Sequence, residues 1–252
     1  MDLSGGCLRC YSQQDLAILS GDAGSVPDRL VVSIASEAGD HWSGEQWRFL
    51  GRRLAPRLIS LVRARAVDPG LAPRVFGPDY ADLAGWPDAE RRATEEALAA
   101  ALADALEHWP SRALVALLGG LACAYDDLRP WLARIDAATG PAALGGVVRL
   151  ACCWATDLLW GEDDWFAWWH TDDPSAPVRE WTLSEKTRTA VARFSQAHPT
   201  CKTARDALLA YDRLDRGEDS PWWYPGYGWN QWRSWGLPGH YGWLRPRDTR
   251  PA

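Results

Sequence analysis

The chain has 252 residues, of which 47% are apolar and 24% charged, both within the ordinary globular range and enough for one large domain or two small ones. Its net charge of -6 works against non-specific binding to nucleic acid or anionic lipid, so neither a nucleic-acid nor a membrane partner is expected. Met1 to Tyr11 lacks a basic start followed by an apolar core, and the apolar stretch Ala113 to Tyr125, interrupted by Gly119 and Gly120, falls short of a bilayer about 30 Å thick. A soluble, cytoplasmic protein is the expectation.

Six cysteines in a chain of this length do not make a disulfide framework, so reduced thiols are expected. Cys7-Leu8-Arg9-Cys10 has the spacing of half a zinc site. Its second half is missing, because the neighbours Cys152 and Cys153 suit tetrahedral ligation poorly. A thioredoxin-like role would want a strand–helix unit that does not follow. No metal or cofactor is therefore assigned.

Hydrophobic spacing then reads as helices. Pro27 begins one that runs to about Ala38. Ser43-Gly44-Glu45-Gln46 is a capping box, followed by Trp47, Leu50, Leu54, Leu58, Leu61 and Val62 at three- and four-residue steps. Pro56 should kink or split that helix. Pro87 opens an Ala/Leu/Glu/Arg stretch of high helix propensity reaching Trp109.

Ser111 can cap a helix to about Ala124, and a short one follows from Leu128 to Ala138. Pro141 starts another that ends at Gly161. Ser184 and Thr200 look like caps of two more, ending near His198 and Asp215. No segment alternates with period two between hairpin turns, so no significant sheet is predicted.

Leu121-Ala122-Cys123 returns as Leu150-Ala151-Cys152 after 29 residues, and Ala124-Tyr125-Asp126 resembles Ala210-Tyr211-Asp212. A stack of helical hairpins would produce such a period, and so would chance in an Ala/Leu-rich chain. The fold class predicted is all-α: a compact bundle of antiparallel helix pairs, or a short irregular α-solenoid.

Two domains of unequal order are expected: a helical body over 1–217 and an irregular segment over 218–252 packed on it. Pro221 to Trp243 holds six Trp and three Tyr among glycines and prolines that no regular helix survives. Each such ring can bury about 150–250 Å², which favours contact with the body. Stacking on sugars and protein contact are the alternatives.

The sharpest candidate site is acidic. From Leu150 to Val178 stand Asp157, Glu162, Asp163, Asp164, Asp172 and Asp173, with no Lys or Arg. Clustered carboxylates raise one another's pKa and call for compensation. Solvent and distant arginines can supply it, and so can a divalent cation on Asp163, Asp164, His170 and Asp172. A basic partner can too, with Trp165, Trp168 and Trp169 offering cation–π faces. Glu162 to Asp164 also suit a helix N-terminus.

Arg48, Arg52, Arg53, Arg57, Arg63 and Arg65 form a basic run that fits a solvated face or pairing with chain acids. There is no phosphate loop, dinucleotide fingerprint, His-Glu-x-x-His or nucleophile elbow.

The function expected is a non-enzymatic interaction protein: an inhibitor, an immunity-type binder or an adaptor. Its binding surface would comprise Asp157, Glu162, Asp163, Asp164, Trp165, Trp168, Trp169, His170, Asp172 and Asp173. Trp222, Trp223, Tyr224 and Trp229 would join them, and the partner would be a basic protein. The alternatives are an enzyme with a carboxylate/His pocket between helices and tail, divalent-metal dependent or not, and a structural subunit of a larger assembly.

Overall fold

A computed structural model of the chain describes residues 3, 5–37, 39–125, 127–160 and 176–217, with the side chain of Trp160 excepted. The described residues fold into eleven helices and no strand. They are α1 (Gln13–Ser20), α2 (Asp28–Ser36), α3 (Gly44–Arg63), α4 (Leu71–Arg74), α5 (Asp88–His108) and α6 (Ser111–Ala124). After them come α7 (Arg129–Asp136), α8 (Pro141–Trp160), α9 (Ala176–Leu183), α10 (Glu185–Ala197) and α11 (Lys202–Asp215).

The helix ends follow local chemistry. Ser43 accepts from the Gln46 amide while Gln46 reaches back to the Ser43 amide, closing the capping box that starts α3. Ser12 and Asp15 form a second capping box, which starts α1. Ser184 caps α10 by accepting from the Thr187 amide at 3.2 Å.

Two expectations need correction. Of the kink or split expected at Pro56, the split does not occur: α3 continues through it, because burial of Leu50, Leu54, Leu58 and Ile59 along one face outweighs the missing amide. The cap of α11 is Cys201 and not Thr200, and its side chain makes no capping bond.

Helix α8 is the axis of the molecule. It packs against α5, α6, α9, α10 and α11. Leu150, Ala151, Trp154 and Ala155 are wholly buried along it, and the Trp154 ring meets Trp181 edge-on at 5.4 Å. One helix surrounded by five others makes a bundle with a single core rather than a one-dimensional stack.

The sequence echo joins unlike places: Tyr125 is the extended residue that ends α6, while Tyr211 lies within α11. By length and composition, residues Pro141–Leu159 of α8 could cross a membrane, a feature the reading of Ala113 to Tyr125 as the longest apolar stretch overlooked. In the bundle that window is 67% buried.

Tryptophan serves the interior. Trp42, Trp47, Trp86, Trp109, Trp131, Trp154 and Trp181, the seven whose side chains are described, are all buried. Three of their polar ends find local acceptors: the indole N–H of Trp47 donates to Gly39 O at 2.8 Å, that of Trp86 to Ala81 O at 2.7 Å, and that of Trp181 to Asp136 Oδ1 at 2.8 Å.

Candidate functional site

Of the acidic and aromatic residues nominated from the sequence, the described part of the structure contains one. Asp157 lies half-buried in the last turns of α8. Glu162, Asp163, Asp164, Trp165, Trp168, Trp169, His170, Asp172 and Asp173 lie outside the described residues, as do Trp222, Trp223, Tyr224 and Trp229. What the structure does define is where the acidic run is tethered. Helix α8 ends at Trp160, α9 begins at Ala176, and the two helices pack together.

The basic run on α3 pairs within the chain. Arg52 grips Glu90 of α5 with two bonds of 2.8 and 2.6 Å, and Arg57 holds Asp28 of α2 at 2.6 Å. Both pairs are exposed, so solvent screens them and each adds little to stability. They use up two of the run's charges and leave it short of a phosphate-binding face.

A second cluster was not predicted. Cys7 O accepts from the amides of Cys10 at 3.1 Å and Tyr11 at 3.0 Å, a turn that gathers the two thiols. Opposite them, residues Gly39–His41 form a single 3-10 turn between α2 and α3. His41 Nδ1 stands 3.4 Å from Cys10 Sγ and also contacts Glu37 Oε2, while Nε2 faces Asp40 Oδ1 at 3.9 Å. One ligand atom from each of Cys7, Cys10 and His41 falls within a group no wider than 4.8 Å.

The frame around this cluster is built from side chains further down the chain. Tyr11 is buried, tilts against the Trp42 ring at 5.1 Å, donates to Glu37 Oε1 at 3.0 Å and accepts from Ser33 Oγ at 3.1 Å. Burial raises the Tyr11 phenol far above its ordinary range, so it remains a donor at any physiological pH.

The two thiols are unequal. The Cys10 amide, the Cys10 thiol and the Arg9 amide all direct hydrogen bonds to Cys7 and hold its thiol below the ordinary value of 9.0. Donating that bond holds Cys10 above it. The pair thus parts with its first proton at Cys7.

A pocket of about 230 Å³ lies beside the α6 terminus, lined among others by Asp82, Arg91, Glu95 and Tyr125. Arg91 is already bound to Asp88 at 3.1 Å and Glu95 at 3.3 Å. Asp82 sits in the left-handed region, at φ 51°. The pocket offers a charged rim and no histidine or thiol among its lining residues.

No family model matches the chain, nor does any curated protein or solved structure. The functional argument therefore rests on this chain's own residues.

Proposed function

We propose that this chain is a non-enzymatic interaction protein whose helical bundle presents the acidic, tryptophan-bearing run from Asp157 to Asp173 to a basic protein partner. Trp222, Trp223, Tyr224 and Trp229 of the C-terminal segment contribute to the same surface. The observation that carries the reading is the placement of charge. Residues 161–175 hold five carboxylates and no Lys or Arg, so the rest of the chain has a net charge of only -1.

Many acids of the bundle pair within it. Asp15 pairs with Arg29 at 2.6 Å, Asp136 with Lys186 at 3.2 Å and Asp215 with Arg188 at 2.7 Å, besides the α3 pairs. Glu162, Asp163 and Asp164 stand side by side in the sequence, and like charges so close repel one another. A cationic surface from outside removes that cost. It gains on-rate by electrostatic steering and has indole faces available for its Arg and Lys side chains.

The test is capture from native lysate by the full chain and by the Asp163→Lys/Asp164→Lys chain, at low and high salt, with mass spectrometry of what is retained. The reading expects a basic protein held by the native chain. Its affinity should fall at least about tenfold on charge reversal and again with added salt. A retained partner indifferent to both changes refutes the proposal.

A further inference from the structure

We propose that Cys7, Cys10 and His41 bind one thiophilic divalent cation, zinc, as its three protein ligands. The geometry fits three corners of a tetrahedral site. Zinc bonds lie near 2.3 Å to sulfur and about 2.0–2.1 Å to imidazole nitrogen, which sets a sulfur–nitrogen edge of about 3.5 Å. Cys10 Sγ and His41 Nδ1 are 3.4 Å apart. Cys7 Sγ belongs to the same group of ligand atoms, none more than 4.8 Å from another. Glu37 Oε2 contacts His41 Nδ1 but does not belong to that group, so it stands beside the shell rather than in it.

The donor set selects the ion. Two thiolates and an imidazole suit zinc, whereas calcium and magnesium require shells of oxygen. Glu37 on Nδ1 favours a proton there in the empty site, and a cation on Nδ1 would displace that proton while Nε2 faces Asp40 at 3.9 Å.

The site is held before any ion arrives. Tyr11 bonds Glu37, the Tyr11 ring packs on Trp42 next to His41, and Trp47 fixes the Gly39 carbonyl. It is open to entry as well, since Cys10 is exposed. The ion would staple the N-terminal turn to the α2–α3 connection, two segments 31 residues apart in the chain.

The experiment uses the full chain, purified under reduction, stripped with chelator and titrated with Zn²⁺ and with Co²⁺ as a coloured substitute. Elemental analysis should give one zinc per chain. Cobalt should give the thiolate charge-transfer and ligand-field bands of a tetrahedral site. Cys7→Ser and Cys10→Ser should each reduce the charge-transfer band and weaken binding on the order of 100-fold; Glu37→Gln should weaken it about 10–100-fold.

His41→Gln should weaken binding while keeping both thiolate bands, and Cys201→Ser should change nothing. Far-UV circular dichroism establishes that each variant is folded. The proposal is overturned if the reduced chain takes up no zinc, or if stoichiometry and spectrum survive both cysteine substitutions. It is equally overturned if Cys7 and Cys10 close into a disulfide in the presence of equimolar zinc.

Discussion

Helices α5 and α8 cross at Gly146, and substituting it isolates the energetics of that crossing. A Cβ built there would stand 2.2 Å from the Leu106 carbonyl oxygen and 2.8 Å from its carbon, against ordinary contacts of 3.4 Å or more. The obstacle is backbone, so no rotamer change can relieve it, and α5 and α8 must part by about 1 Å. That same carbonyl accepts from Arg149 Nη2 at 2.9 Å, and the Trp109 carbonyl accepts from it at 3.2 Å. Separation therefore also loosens the guanidinium that caps the C-terminal end of α5.

Gly146→Ala gains about 0.8–1 kcal/mol of helix propensity and loses about 1–3 kcal/mol or more to overpacking, with the strained Arg149 bonds added. A net loss of up to about 2 kcal/mol is expected, to which the strained Arg149 bonds add, and a fall in Tm of up to about 8 °C for a chain of this size. Gly145 is the internal control. Its Cβ would meet nothing closer than Arg149 Nη1 at 3.5 Å and Phe194 at 3.9 Å. Gly145→Ala should accordingly stabilise by about 0.5–1 kcal/mol. Urea titration of both variants reads the difference directly. If Gly146→Ala proves as stable as Gly145→Ala, α5 and α8 do not cross at residue 146 and the packing account is wrong.

Burial pushes the Cys123 and Cys152 thiols up to about 12, and Cys153 well above 9.0. Unfolded thiols would release protons near 9.0 while the folded ones keep theirs. The stability from these groups is complete below pH 9 and drains away as pH climbs towards 12, at up to about 1.4 kcal/mol per pH unit for each. Urea midpoints that hold level from pH 8 to 11 would contradict this.

In the native chain at neutral pH, a thiol reagent followed by peptide mapping should label Cys7 and Cys10 first, and Cys123, Cys152 and Cys153 only on unfolding. Labelling of Cys152 at the rate of Cys7 would show that α8 is not enclosed. Tyr125 Oη is buried with no hydrogen-bond partner among the described residues, so Tyr125→Phe should be neutral or stabilising by up to about 1 kcal/mol in the same urea assay. A clear loss would reveal a partner for that hydroxyl.

The helices were legible where one local rule dominated. The capping box at Ser43 and the Ala/Leu stretch after Pro87 begin α3 and α5 within a residue of expectation. Three helices had no such signal. Helix α1 has a capping box closed by Asp15, a shorter acid than the Glu or Gln the pattern names. Helix α4 is a single turn and α9 has only eight residues, and both are stabilised by packing rather than propensity. Helix α3 passes Pro56 for a related reason: its buried face extends through both halves, and tertiary burial outweighs one lost backbone bond.

The thiol–imidazole cluster was half legible. Cys7 and Cys10 announce themselves by spacing, but His41 stands 31 residues away beside Trp42. In the sequence it resembles His108 beside Trp109, whose imidazole leans on Asp104 of its own helix at 3.2 Å. What separates the two histidines is the hydrophobic anchoring of the segments around them. Tyr11 and Trp42 are both buried and in contact, so the residues just before each are forced together: Cys10 precedes Tyr11, and His41 precedes Trp42. A metal-ligand search confined to paired Cys or His motifs misses this arrangement. One that asks which ligand residues adjoin large buried aromatics would have placed His41 opposite the cysteines, because the aromatic contact decides the meeting and the polar residues follow it.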